Sequence, residues 1–474
     1  FGGTPLFICY MPLSHKTGEK GSLIGQKGDF GVNLIKEKKI KLASLNENKT
    51  ARVATLCALY FAQGFPWGFM TTALVAYLAK YGLTVGETGH LVSMAILPWT
   101  FKIFWAPIID SINFPQMGKR RPWIIFAQIM MALTLIVLAL SGDISTNLNY
   151  LGWMFFLHNC FASLQDVCTD ALAVDILRPE ERGKVNGFMW GSKIIGVGFG
   201  GSVMGTILVK TSLNTAVIFQ TVLILGVMLF PLLFRERSGE KLLPWSKGKS
   251  MLQSDIGSVR NPLSVVKDLF RGLSLKTTLF GALFLLAASA GEGINSAILP
   301  ALFMQNLGWE PDSYSQVVGG IGTVFEFCGA LLGGFLADRI GRRKIITVGY
   351  GGFGALAIIF GIFSVYWTEI WFASSYLILF PFFRALGAVA IFALFMHISW
   401  TKAAATMFTS YMAMSNLSTI SGTKLAGPLK ELLPFDILFI ILGIIAILPL
   451  LLLFWVDSDT VHKIKNGAEP SLDT

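Results

Sequence analysis

Gly334-Phe335-Leu336-Ala337-Asp338-Arg339-Ile340-Gly341-Arg342-Arg343-Lys344 joins the end of one long apolar run, 313–337, to the start of the next, 344–366. An acid, a glycine and a cluster of bases held between two such runs read as a tight loop at a membrane surface. Gly334 allows two helices to approach closely, Asp338 caps or pairs across a gate, and the bases stay in the aqueous interface. The pattern occurs twice: Asp110 precedes Gly118-Lys119-Arg120-Arg121 between two earlier apolar runs. Ala62-Gln63-Gly64 likewise stands opposite Gly291-Glu292-Gly293 at nearly the same offset, so the chain is read as two related halves.

Outward from these loops, the 474 residues are 53% hydrophobic and only 14% charged, more apolar than one soluble core requires. A spanning helix needs about 20 apolar residues to cross roughly 30 Å of hydrocarbon. Twelve segments qualify: 52–80, 88–110, 122–141, 149–177, 185–209, 214–234, 277–304, 313–337, 344–366, 371–399, 404–427 and 435–456. The expected fold is therefore all-α and integral to the membrane, with twelve transmembrane helices in two pseudo-symmetric six-helix bundles. The division is an N-terminal arm at 1–51, a bundle at 52–234, a linker at 235–276, a second bundle at 277–456 and a tail at 457–474.

Lys and Arg gather in the arm, the 111–121, 178–184 and 338–344 loops, the linker and the tail, whereas the alternate loops 81–87, 142–148, 305–312 and 367–370 hold none. The positive-inside rule then places both termini in the cytoplasm, as an even number of spans also requires. The net charge of +10 reflects this topology, because the bases form no aromatic-interleaved face for nucleic acid. The arm shows no signal-peptide pattern and is expected to be basic and loosely ordered. Five cysteines without C-x-x-C or Cys/His spacing indicate neither a disulfide framework nor a metal site, and no cofactor is expected.

The 334–344 stretch closely resembles the signature loop of the major facilitator superfamily, G-x-L-x-D-R-x-G-R-R-K. Three further segments resemble a narrower group, the muropeptide permease (AmpG-type) and acetyl-CoA transporter branch. They are Phe61-Ala62-Gln63-Gly64-Phe65-Pro66, Thr100-Phe101-Lys102-Ile103-Phe104-Trp105-Ala106-Pro107-Ile108-Ile109-Asp110, and Gln165-Asp166-Val167-Cys168-Thr169-Asp170-Ala171. Glu180-Glu181-Arg182-Gly183 adds to the likeness, which covers roughly residues 55–205; the second half matches the superfamily at large. The resemblance implies a secondary transporter working by alternating access, with helices one, four, seven and ten around a central cavity. It favours a muropeptide-like polar or anionic solute taken into a bacterial cytoplasm through the inner membrane. An acetyl-CoA-like thioester or another small solute is the alternative substrate, and a eukaryotic endomembrane the alternative location.

Charges buried in hydrocarbon cost about 2.5–3.5 kcal/mol each on insertion scales, so they mark candidate sites. Asp166 and Asp170 share one face of the fourth helix, about 10–16 Å from its cytoplasmic end, and Lys102 and Lys193 fall about 12 Å from theirs. Two readings of this cluster are open: a proton-coupling site, or a permanent network tying helices two, four and five together. In the second half Glu292, Glu326 and Arg384 fall near mid-depth. Arg384 is either an anion hook with Glu292 as resting partner, or half of a fixed bridge to Glu326. Gln63 is a candidate cavity hydrogen-bonder, and Pro66 is expected to kink its helix.

Gating candidates are Asp110, Lys119, Arg120, Arg121, Asp175, Gly334, Asp338, Arg339, Gly341, Arg342 and Arg343, with Asp175 expected to pair with Lys119 or Arg120. His158 and His397 are read as satisfied or interfacial. Trp67, Trp99, Trp105, Trp190 and Trp309 serve either ring stacking or interfacial anchoring, and the glycines of helix five serve packing. The expected partners are a small solute, with or without a proton, and membrane lipid, around a monomer. A membrane enzyme needs a nucleophile or metal constellation, and the sequence has no H-E-x-x-H, Ser/His or Cys/His group at matched depth. A receptor needs a larger sensing domain than the short outer loops supply.

Overall fold

The computed structural model describes residues 44–105, 108–109, 116–141, 147–178, 180–246, 275–399 and 404–457; the gating candidate Asp110 lies outside them. Each of the twelve apolar segments holds a helical rod. These are α1 (49–80), α2 (Val85–Thr100), α3 (Arg121–Leu140), α4 (Leu148–Ile176), α5 (Arg182–Lys210), α6 (Leu213–Leu233), α7 (Lys276–Asn306), α8 (Pro311–Ile340), α9 (Arg342–Ile362), α10 (Ile370–Ile398), α11 (Ala404–Leu432) and α12 (Phe435–Trp455). Several starts are fixed by side-chain caps. The Asn48 carboxamide accepts the Ala51 N–H at 3.0 Å, Asn147 accepts that of Tyr150, and Ser212 that of Thr215. Thr84 and Glu87 form a reciprocal capping box at α2.

The distribution of polarity is that of a protein dissolved in lipid. Ile218, Val222, Leu225 and Leu229 form an exposed stripe along α6, while Gln128, Gln165, Asp166 and Gln220 are wholly buried. Eight rods, α3, α5 to α10 and α12, are long and apolar enough to cross a membrane by themselves. The other four fall short of that measure. Each of them carries buried polar residues: Gln63 on α1, Ser93 on α2, Asp166 and Asp170 on α4, and Asn416, Ser418 and Thr423 on α11.

The second segment departs from one continuous 88–110 helix. The regular α-helix ends at Thr100, the Phe101 N–H turns back to the Pro98 carbonyl at 3.2 Å, and a 3-10 turn, Lys102–Phe104, follows. Lys102 thus sits on a tightened turn. In both halves the first rod holds an internal proline followed by a π-helical turn: Pro66 before Phe69–Ala73, and Pro300 before Leu302–Asn306. Proline removes one backbone donor, and the wider turn takes up the lost register.

Two apolar cores lie wholly within residues 45–234 and a third within 282–456; a fourth is built mainly from 294–446 and borrows Ala76, Ala79 and Val85. The halves meet along two seams of small residues. In one, Gly201 and Gly205 of α5 abut Gly319 and Ser315 of α8; in the other, Gly86 and Gly89 of α2 abut Gly427 and Thr423 of α11. Side chains in those places would separate the helices.

Candidate functional site

Between the halves lies a cavity of about 210 Å³. One wall presents Gln63, Trp67, Trp99, Trp190 and Lys193; the other presents Glu292, Asn295, Tyr314, Glu326 and Arg384. Five of the sequence-derived pathway residues therefore line one space. Lys102, Asp166 and Asp170 do not line it and are packed behind the N-terminal wall.

On the C-terminal wall the Arg384 guanidinium lies between two acids. Its Nη1 is 3.0 Å from Glu292 Oε1, and its Nη2 donates to Glu326 Oε1. The two partners offered by the sequence are both engaged at once, so α7, α8 and α10 are tied through one side chain. The other Glu292 oxygen, Oε2, is buried without a hydrogen-bond partner. Asn295, one turn further along α7, accepts from the Tyr376 hydroxyl at 2.7 Å while its Nδ2 is unpartnered. Across the cavity both amide atoms of Gln63 are unpartnered, with the residue 2% exposed.

Behind the N-terminal wall Lys102 Nζ meets Asp166 Oδ2 at 2.9 Å, and the Tyr60 hydroxyl donates to Asp170. Lys193 lies within electrostatic reach of Asp166, Asp170 and Lys102. Its ammonium stands over the rings of Trp99 at 4.8 Å and Trp190 at 5.5 Å. Lys193 thus bridges the buried cluster and the cavity.

The end of the molecule carrying the 81–84 and 307–310 turns is closed by contacts between halves. Lys80 pairs with Glu310 at 2.9 Å, Gln305 donates to the carbonyls of Ala79 and Leu83, and Thr206 donates to Asp312 at 2.6 Å. At the opposite end, where residues 235–246 emerge, the ion pairs among the described residues join groups of the same half. Arg52 binds Glu181 at 2.5 Å, Arg120 binds Asp175 at 3.3 Å, and Arg343 approaches Asp457.

The two signature loops share a backbone device: Gly118 and Gly341 have φ of +98° and +106°, each just before a helix start. Their surroundings differ. The backbone N–H groups of Lys119, Arg120 and Arg121 all donate to the Glu236 carboxylate, and the buried Arg121 guanidinium donates to carbonyls of Met117, Pro231, Lys241 and Leu242. Arg121 is a clasp on the linker rather than an exposed gate charge. In the second loop Asp338, Arg339 and Gly341 are exposed, and Arg339 lies over the Phe335 ring. The close helix approach expected at Gly334 occurs instead at Gly333, whose α-carbon faces the Leu386 backbone; a Cβ on Gly334 would make only ordinary contact with Val389.

The sequence model of the Major Facilitator Superfamily matches residues 56–423 and, in a second match, 281–472. The chain belongs to the major facilitator superfamily. This major facilitator chain is 23% identical over 427 residues to a Rickettsia conorii protein named as a transporter, AmpG 4, covering 86% of this chain and 97% of that one. It is 32% identical over 136 residues to the anhydromuropeptide permease of Escherichia coli, a match spanning 28% of this chain and 26% of the permease. In three dimensions it is similar to the nucleoside transporter NupG, with a TM-score of 0.65 at 13% identity, over 85% of this chain and 98% of that one. At that identity the likeness speaks for the fold alone. The chain is thus a multi-pass membrane transporter of this superfamily, and its relatives are permeases rather than enzymes.

Tyr60, Asn295 and Glu236 were missed by sequence reasoning. Tyr60, Gln63 and Trp67 recur at helical spacing on α1, which was a readable signal for a shared face. Glu236 meets its partners from more than a hundred residues away in the chain, and no local pattern marks it.

Proposed function

We propose that the chain moves a bulky polar solute of the muropeptide class into the cytoplasm by alternating access, with a proton as its driving partner. The observation that carries this reading is the cavity between the halves, walled by Gln63 and Lys193 on one half and Glu292, Glu326 and Arg384 on the other. It is sealed at the 81–84 end by contacts between halves. By the positive-inside argument that end faces outward, and we read the conformation as closed on that side. Rocking of the halves about the α2–α11 and α5–α8 glycine seams exchanges the two openings, and a solute that binds one state more tightly shifts the balance.

The solute class is taken from the AmpG-named relative and the anhydromuropeptide permease. The proton is assigned to the cluster of Lys102, Asp166, Asp170 and Lys193. It lies behind the wall, away from the solute, yet reaches the cavity through Lys193. Uptake of a labelled anhydromuropeptide into proteoliposomes, with and without an imposed pH gradient, tests both parts. Gradient-stimulated uptake is expected. Uptake indifferent to the gradient would remove the proton, and absence of uptake would remove the solute class.

A further inference from the structure

The charges around the cavity do not balance. Among the described residues Lys102, Lys193 and Arg384 face Asp166, Asp170, Glu292 and Glu326, one base too few. The shortfall falls on the C-terminal wall, where one guanidinium serves two carboxylates. Glu292 holds Arg384 with Oε1 only, and Oε2 is buried without a partner.

Among the described residues, the groups seen interacting with the triad from α7 and α9 carry no further positive charge. Tyr350 of α9 and Ser289 of α7 are neutral, and Tyr350 interacts with both Glu292 and Arg384. A further base on the cavity wall, Lys193, belongs to the opposite half. Gly191 lies against Phe327, and Gly198 against Gly319 and Thr323, so α5 and α8 run antiparallel with Lys193 level with Glu326 rather than with Glu292. Lys193 is in any case engaged with two tryptophans and the aspartate cluster.

A second observation points to a ligand at the same place. Gln63, 2% exposed, keeps both amide atoms unpartnered, and Asn295, 1% exposed, keeps its Nδ2 unpartnered; both line the cavity that Glu292 lines. Buried polar groups without partners cost about 1–3 kcal/mol each, which a bound solute recovers. The free set comprises acceptors on Glu292 and Gln63 and donors on Gln63 and Asn295. Its one charged member is an acceptor.

We propose that Glu292 Oε2 is a specificity-determining acceptor for an ammonium group of the solute, with Gln63 and Asn295 binding neutral polar groups beside it. The site then selects solutes that carry a positive charge, zwitterions included, over those charged only negatively. An anion approaching Arg384 must instead displace one of two carboxylates already bound.

This rests on the transport reading above, and the test separates the two. Two anhydromuropeptides, identical except that one peptide side-chain amine is free or acetylated, are compared as substrates in proteoliposomes of the full chain below saturation. The free amine is expected to be preferred about tenfold, the size of effect a hydrogen bond to a charged group confers. Glu292→Gln is expected to erase the preference and Glu292→Asp to keep most of it; the ratio cancels any general loss of folded protein. Equal uptake of both forms by the unsubstituted chain, or an undiminished preference in Glu292→Gln, overturns the proposal and leaves the transport reading standing. Uptake of neither form overturns the solute class, and this recognition with it.

Discussion

Lys102 Nζ lies 2.9 Å from Asp166 Oδ2, with the lysine side chain 8% and the aspartate side chain 0% exposed. Removing one partner of such a pair leaves the other charge stranded, which costs about 3–5 kcal/mol. Asp166→Asn should therefore lower thermal stability in detergent sharply, whereas Lys102→Met combined with Asp166→Asn should recover most of it. If the cluster carries the proton, the stable double variant should still lack gradient-stimulated uptake. Full stimulation in that variant would make the cluster purely structural.

Tyr60 donates its hydroxyl to Asp170, and both residues are buried. Tyr60→Phe keeps the ring and removes the donor, leaving a buried acceptor without its partner, so a loss of about 1–3 kcal/mol is expected. A melting curve of the purified protein measures it. An unchanged midpoint would show that Asp170 does not depend on Tyr60.

The linker clasp should respond to pH. Burial, and then the neighbouring Glu236 charge, push the Glu240 carboxyl up to about 7, and burial also raises Glu236. A carboxyl with a raised folded-state pKa binds its proton more tightly when folded, so its contribution is greatest in acid and is lost as pH rises through about 7. Protection of the amides across residues 235–246, taken relative to their intrinsic base-catalysed exchange, should fall between pH 5 and 8, and Glu240→Gln should flatten that dependence. A profile equally steep in the variant would place the titration elsewhere.

A Cβ on Gly319 would come within 2.6 Å of the Gly201 carbonyl carbon and the Ser202 nitrogen, both backbone atoms that cannot step aside. Gly319→Ala should thus disfavour the conformation closed at the 81–84 end and shift the population toward the opposite opening. Spin-label distances across that end should lengthen relative to the unsubstituted chain. Gly183→Ala, where nothing lies within 4 Å, serves as the control.

The fold was legible because apolar segments of spanning length and a repeated acid-glycine-base loop are local patterns. Gln63, Lys193, Glu292, Glu326 and Arg384 were legible because a polar group at mid-span must face the interior. What stayed hidden depends on distance or on three-dimensional register. The break after Thr100, where the Phe101 N–H turns back to the Pro98 carbonyl, lies inside a continuous apolar run, and the approach at Gly333 rather than Gly334 depends on the rotation of α8 against α10. The clasp of Glu236 and Arg121 joins sequence positions too far apart for any periodicity to connect. Trp67, Trp99 and Trp190 left cavity and interface equally open in the sequence, whereas the structure puts all three on the cavity wall.

Exchange of the cavity between two openings is tested most directly by tethering the closed end. Lys80 and Glu310, paired across the halves at 2.9 Å, become Lys80→Cys and Glu310→Cys in a chain otherwise free of cysteine, joined by a short cleavable thiol cross-linker. Alternating access predicts that complete cross-linking stops solute uptake and that cleavage restores it. Uptake continuing at the original rate with the tether in place would contradict it.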